Sequence, residues 1–185
     1  MRIKSTTQLH WLFALGFLTL IVGSQSTEAR DSVEKSGDAL AVLLPAIGLG
    51  STIFYEEGYE GSLQFLKSFA TSELTTVALK KITHKERPNG ACCESFPSGH
   101  TSAAFMGAAF IHERYGWKYA VPAYISAAYV GHTRVHAEKH YWVDVIAGAA
   151  IGVASSFYFT EPYKGMEMSP VADGDIYGIQ ISKHW

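Results

Sequence analysis

Ser98, Gly99 and His100 stand together in the run Phe96-Pro97-Ser98-Gly99-His100-Thr101, and their types suit the handling of a phosphate. Pro97 stops the preceding segment and biases Phe96 towards extended geometry. Ser98 takes the place of a helix N-cap, and Gly99 lets the backbone come close to a ligand. Free N–H groups at a helix start attract anions. His100 beside that anion can exchange a proton near neutral pH. Cations flank the run: Lys80 and Arg87-Pro88 upstream, Thr133-Arg134 downstream. A phosphoryl group in transfer spreads negative charge over its equatorial oxygens, so positioning and charge stabilisation dominate its chemistry. Lys80, Arg87 and Arg134 would supply that charge, the arginines with a planar fork matched to phosphate. The Ser98 hydroxyl and the Gly99 N–H add neutral donors. His140 has a carboxylate, Asp144, one helical turn away, as an activated nucleophile requires. His100 is placed to protonate a leaving oxygen. Cations and amides can do here what a metal does elsewhere, so the set implies no metal and no other cofactor.

The order Lys-x6-Arg-Pro, Pro-Ser-Gly-His, Arg-x5-His-x3-Asp resembles the type 2 phosphatidic acid phosphatase superfamily, which also holds bacterial acid phosphatases and vanadium haloperoxidases. The resemblance spans Lys80 to Asp144, about a third of the chain. One small departure is Thr133, where the family more often has serine; the hydroxyl is kept. The resemblance implies that His140 becomes a phosphohistidine, that Asp144 orients it and that His100 is the general acid. It implies Lys80, Arg87, Ser98, Gly99 and Arg134 as the phosphate-binding set. Water would then hydrolyse the intermediate.

Blander readings compete for each residue. Lys80 and Arg87 would also serve as cations at a helix C-terminus, and Arg134 as a surface partner of Glu138. His132, His136, His140 and Asp144 recur every four residues, which on one helix would share a face as zinc pairs do. The three steps from His132 to Asp144 spread over roughly 18 Å, too far for one ion. Cys92 and Cys93 are adjacent and cannot staple the fold; they are either plain loop thiols or a vicinal or interchain pair.

The elements that must position these residues read as helices. Residues 1–29 resemble an export signal or N-terminal anchor: Arg2 and Lys4, then the charge-free run Trp11–Val22, then small residues to Ala29. Arg30–Asp38 reads as a short amphipathic helix or linker, and Ala39–Tyr55 as a helix in a protein core or in lipid. Leu63 to about Thr83 carries apolar residues at helical spacing with Lys80 in its last turn. Pro88–Ser95 is a loop with an Asn89-Gly90 turn. Helices follow from His100 to about Arg114, over the segment Trp117–Val130 and over Tyr141–Tyr158, with Gly131–Lys139 as a polar connection. In the tail, Tyr177, Ile179, Ile181 and Lys183 alternate with polar or small residues, a strand pattern that needs a partner, within 164–172.

The expectation is an all-α bundle of about five core helices over residues 30–160, after the signal or anchor, with a short β-like tail or hairpin over 161–185. A net charge of −2 leaves no footprint for nucleic acid. The functional expectation is a metal-independent phosphatase acting on lipid phosphate or pyrophosphate monoesters at an extracytoplasmic membrane surface. Two alternatives stay open: a soluble exported acid phosphatase of broad specificity on small phosphate esters, and a vanadate-dependent haloperoxidase.

Overall fold

The computed structural model describes residues 6–163, 167–173 and 176–182, with side chains described over 31–163. Among these, five helices form one bundle: α1 (Thr6–Tyr55), α2 (Glu60–Thr83), α3 (Gly99–Tyr115), α4 (Trp117–His136) and α5 (Trp142–Phe159). The all-α architecture expected from the sequence is the one observed. Two strands, β1 (Glu167–Asp173) and β2 (Ile176–Ser182), pair antiparallel, Glu167 opposite Ser182 and Asp173 opposite Ile176. Lys183, expected to extend this strand, lies outside the described residues.

Helix α3 is the axis of the bundle and packs against each of the other four helices. Its inward residues are small or compact: Ala104, Met106, Ala108, Ala109 and Phe110 are fully buried. Such a surface lets neighbouring backbones come close. A Cβ on Gly152 of α5 would stand 2.3 Å from the Ser102 oxygen, and one on Gly148 would stand 2.4 Å from the Ser98 oxygen. The starts of α3 and α5 are therefore pressed together, which brings Ser98 to Asp144. On the opposite side, Gly107 of α3 leaves room for the backbone of Leu44 and Pro45 of α1.

Two boundaries differ from the sequence reading. The helix expected over Ala39–Tyr55 is continuous with residues 6–38, so the segment 30–38, expected as a short amphipathic helix or a linker, is helical and an unbroken part of α1. Pro45 is the helix breaker within it, and it sits where α1 crosses Gly107. The segment expected over 1–29 thus has a helical backbone from Thr6 onward. Helix α4 begins at Trp117, directly after Gly116 at φ 85°, and continues through Gly131–His136 rather than giving way to a connection. Two of the polar residues there point inward: Thr133 and Arg134 are buried, and the Thr133 hydroxyl donates to the Val130 carbonyl at 2.7 Å, while His132 and His136 are exposed.

The interior is polar and small while the exterior is large and apolar. Ser72 and Thr76 of α2 both meet Ser102 of α3, at 2.7 and 3.1 Å. Ser156 of α5 donates to the Met106 carbonyl at 2.8 Å. Outward lie Val42, Ile53, Phe54, Leu66, Leu74, Val77, Ile125, Val143 and Ile146, each at least 46% exposed. At the end of the bundle away from Ser98, Arg114 donates to both carboxylate oxygens of Glu56, at 2.8 and 2.6 Å, and to the Glu161 carbonyl at 2.8 Å. That network joins the ends of α1, α3 and α5.

Because the α3–α5 contact is backbone on backbone, Gly152→Leu has no flexible side chain to displace. We expect it to cost at least the ~1–3 kcal/mol typical of overpacking and to lower the thermal midpoint of the purified protein. Gly50→Ala, at a position with nothing within 4 Å, should leave that midpoint unchanged or slightly raised.

Candidate active site

The site forms where α2 and α4 end and α3 and α5 begin. Asp144 is fully buried at the third position of α5. Its carboxylate accepts the Tyr141 N–H at 2.9 Å, reaching back to the residue before the helix as a capping side chain does. It also accepts the Ser95 hydroxyl at 2.5 Å and the Lys85 ammonium at 2.6 Å. Its own carbonyl accepts the Ser98 N–H at 2.9 Å. A carboxylate taken out of water must be paired and hydrogen-bonded, and this one is. Lys85 is held over the Tyr141 ring at 4.5 Å, which adds a cation–π contact to the ion pair.

His140 is buried in the short loop between α4 and α5, following Glu138 at φ 54°. Its Nδ1 lies 2.6 Å from the Ser95 carbonyl, an acceptor, so Nδ1 carries the proton and Nε2 keeps its lone pair. The sequence reading pairs His140 with Asp144. The structure puts Nδ1 3.9 Å from the carboxylate, beyond hydrogen-bond reach, and Ser95 takes the direct bond. Ser95 therefore touches both groups, its carbonyl on His140 and its hydroxyl on Asp144. Burial lowers the His140 pKa to about 4; Lys80 and Arg87 push the same way, against the Ser95 carbonyl and Asp144.

The remaining candidates surround these two residues. Lys80, in the last turn of α2, donates to the Glu94 carbonyl at 2.6 Å and lies in the field of Arg87 and Asp144. Arg87 has a buried Nε with no hydrogen-bond partner among the described residues. Gly99 opens α3 with its bare face towards the Lys80 stem, 3.9 Å from where a Cβ would be. Ser98 is buried; its hydroxyl meets Thr101 Oγ1 at 2.9 Å rather than capping the helix by its side chain. His100 follows on the first turn of α3, in the field of Arg134, Lys139 and Lys80. Lys80 thus links the two histidines. Arg134 is 1% exposed and is anchored by α1: it donates to Asp38 Oδ1 at 2.5 Å and to the Glu34 carbonyl at 2.8 Å.

His132 and His136 stack on the last turns of α4, 6.0 Å between ring centroids, while His140 lies past the helix end and turns into the bundle. The four-residue series is thus not one helix face. Cys92 and Cys93 are joined to each other within the loop before Ser95. Sequence reasoning missed Lys85, Ser95, Asp38 and Glu34. Lys85 and Ser95 lie inside or beside the recognised motifs but at positions no spacing rule marks. Asp38 and Glu34 lie about 100 residues before Arg134, in a segment read as a short amphipathic helix or linker.

A buried histidine, a paired carboxylate, Lys80 and Arg87 are thus brought together with the start of α3 at one end of a helical bundle. A family model for the PAP2 superfamily matches residues 61–164, which takes in every site residue from Lys80 to Asp144 and leaves α1 outside. The chain belongs to the PAP2 superfamily and is a phosphoric monoester hydrolase. It is 29% identical over 171 residues to a lipid A 4'-phosphatase of Helicobacter pylori, covering 83% of this chain and 85% of that one. It is 40% identical over 157 residues to a lipid A 1-phosphatase of Porphyromonas gingivalis, covering 77% of this chain but only 35% of the other. Among solved structures, the fold matches Aquifex aeolicus LpxE with a TM-score of 0.56 at 20% identity, over 68% of this chain and 83% of that one. It also matches a transmembrane PAP2-type phosphatidylglycerolphosphate phosphatase of Bacillus subtilis, with a TM-score of 0.53 at 23% identity, over 80% and 91%.

Lys85→Met removes the counter-charge of a fully buried carboxylate but leaves Ser95 and the Tyr141 N–H in place. Because Lys85 is one-third exposed, water can enter, so the expected loss is about 1–3 kcal/mol rather than that of an unscreened buried pair. Thermal unfolding at neutral pH checks this, and an unchanged midpoint would mean that Asp144 does not depend on the pair.

Proposed function

We propose that this protein is a membrane-embedded, metal-independent phosphatase that removes phosphate from a lipid through a phosphohistidine on His140. The observation that carries the mechanism is the tautomer of His140. With Nδ1–H held by the Ser95 carbonyl, the Nε2 lone pair is available for attack. Burial keeps the ring neutral, so it needs no deprotonation before attack. Lys80 and Arg87, both in the field of His140, are the cations for the phosphoryl oxygens, with the Gly99 N–H at the start of α3. Arg87 Nε is buried with no hydrogen-bond partner among the described residues and is a donor available to a phosphoryl oxygen. Asp144 holds the loop that carries His140, and His100 gives its proton to the leaving oxygen.

The lipid substrate is supported by the outer surface. Helix association in lipid favours small and hydroxyl residues at contacts, and this interior is built of alanine, glycine, serine and threonine. Residues 31–55 and α5 are each long and apolar enough to cross a membrane, and only 33% of either apolar window is buried in the bundle. Exposed aromatics gather at both ends: Tyr141 and Trp142 beside the site, and Phe54, Tyr55, Tyr59, Trp117, Tyr119 and Tyr158 at the other. That is the distribution of interfacial belts. It supports a site at one membrane surface, where a lipid phosphate resides. The relatives named as lipid A phosphatases agree with a glycolipid phosphate as substrate.

The leader-like composition of residues 1–29 supports the extracytoplasmic side. Arg2 and Lys4 favour retention of the N-terminus inside, and the apolar run to Val22 then delivers Arg30–Asp38 to the outer surface. Glu34 and Asp38 meet Arg134 at the site end, so removal of the leader as an export signal leaves the site end facing out. Five alternating helices then return residue 160 to the cytoplasmic side. A green fluorescent reporter fused to the C-terminus should fluoresce in cells; a dark fusion with an active alkaline phosphatase reporter would invert the topology.

Catalysis is tested by phosphate release from a phosphorylated lipid in mixed micelles, in the presence of EDTA. The wild-type protein should turn over and His140→Ala should lose at least ~10³-fold while keeping its thermal midpoint, since a nucleophile is removed outright. Activity lost in EDTA and restored by a divalent metal would overturn the metal-independent reading. The pH profile gives a second check. His140 must be neutral to attack, and burial depresses its pKa, so kcat/KM should hold as pH falls through the ordinary imidazole range. Once corrected for the ionisation of the substrate, its acid limb should lie near the His140 value of about 4. A limb at 6 to 7 (about the unperturbed imidazole value) would place the nucleophile in water.

A further inference from the structure

One carboxylate at the site belongs to no recognised motif and lies outside the family match. Asp38 projects from α1, and its Oδ1 is shared between His100 Nε2 at 3.0 Å and Arg134 Nη1 at 2.5 Å. The segment that carries it is pinned on both sides. A Cβ on Gly37 would stand 2.0 Å from Thr133 Oγ1 and 2.7 Å from Arg134 Nη2, so α1 runs directly over these side chains. The Glu34 carbonyl accepts from Arg134, the Glu34 carboxylate pairs with Lys139, and the Ser36 hydroxyl meets the Tyr129 hydroxyl at 2.9 Å. These contacts fix where Asp38 points.

Resting on the phosphatase reading above, we propose that Asp38 is a positioning residue for the general acid. It holds the protonated His100 ring by Nε2–H and keeps Arg134 beside it, leaving Nδ1–H for the leaving oxygen. The need for it is electrostatic. His100 must carry a second ring proton while facing Arg134, Lys139 and Lys80, and Asp38 is the carboxylate set among these cations. In the first step the Nε2 lone pair of His140 forms the P–N bond, the ester P–O bond breaks, and the Nδ1 proton of His100 passes to the leaving alkoxide oxygen. In the second, water oxygen takes the phosphoryl group from His140 and gives a proton back to His100. Asp38 exchanges no proton in either step. It compensates the charge that His100 carries at the start and regains at the end.

A role of this kind depends on the leaving group. An alkoxide needs its proton in the transition state, whereas a nitrophenolate leaves without one. The experiment compares wild type, Asp38→Asn, Asp38→Glu and His140→Ala, as full-length protein, on a short-chain phosphatidic acid and on 4-nitrophenyl phosphate. Asp38→Asn should lower kcat on the alkyl ester by about 10²-fold, the lower end for general acid catalysis, and on the aryl ester by less than about fivefold. Asp38→Glu should recover part of the alkyl rate. Equal losses on both esters would overturn the proposal and make Asp38 a structural tie of α1. A lower KM with undiminished kcat would overturn it too, by showing that Asp38 competes with phosphate for Arg134. The underlying phosphatase reading fails separately, if wild type releases no phosphate from either ester or His140→Ala keeps its rate.

Discussion

Everything at the working end of this bundle depends on a carboxylate that has nowhere to go. Asp144 is fully buried, and a charge removed from water survives only if each lone pair finds a donor. The three donors come from two places: Lys85 and Ser95 from the loop after α2, and the Tyr141 N–H from the start of α5. The loop between α2 and α3 is therefore drawn inwards by the residue it must satisfy. Once there, Ser95 presents its carbonyl to His140 and sets which ring nitrogen is free. The acid commonly credited with orienting the histidine acts at one remove here, by holding the residue that does it.

That arrangement requires the ends of α3 and α5 to coincide, and the packing of the bundle enforces it. Gly148 and Gly152 bring the α5 backbone onto Ser98 and Ser102, so sliding one helix by a turn would drive side chains into carbonyls. The same economy of side chains explains the inverted exterior. With much of the interior filled by alanine, glycine and hydroxyls beside a few large residues such as Phe65, Met106, Phe110 and Val130, many of the leucines, valines and aromatics lie on the outside. In water that surface would be a heavy liability; in lipid it costs nothing, and the hydroxyl contacts inside carry the specificity of packing.

Much of the site was legible because phosphoryl handling demands particular residue types at fixed local spacing. Lys80 and Arg87 share one helix end and its loop; Ser98, Gly99 and His100 share one helix start; Arg134, His140 and Asp144 share one turn between helices. Within each of these units, sequence distance approximates spatial distance. What escaped was whatever joined them. Ser95 has no distinguishing type, and its importance arises only when Asp144, 49 residues on, is folded against it. Asp38 is separated from Arg134 by 96 residues and lay in a stretch whose mixed charges look like a solvated linker. The run Gly131–His136 reads as a connection because polarity stands for exposure in a soluble protein, whereas here Thr133 and Arg134 are polar and buried.

The charges of the site divide in a way that bears on where phosphate sits. Lys85 is committed to Asp144, and Lys139 to Glu34. Arg134 is committed to Asp38, with its other nitrogens on Glu34 and Thr133. Lys80 meets only a carbonyl, and Arg87 keeps a buried nitrogen unpaired among the described residues. Lys80 and Arg87 are thus the site cations without a direct carboxylate partner among the described residues, while Arg134 and His100 share the Asp38 carboxylate. A phosphoryl group carries its charge on the oxygens facing the nucleophile's neighbours, and the leaving oxygen needs a proton more than a cation. Under the proposed mechanism this distribution leaves Lys80 and Arg87 for the phosphoryl group beside His140 and sets a carboxylate beside the acid at the ester oxygen.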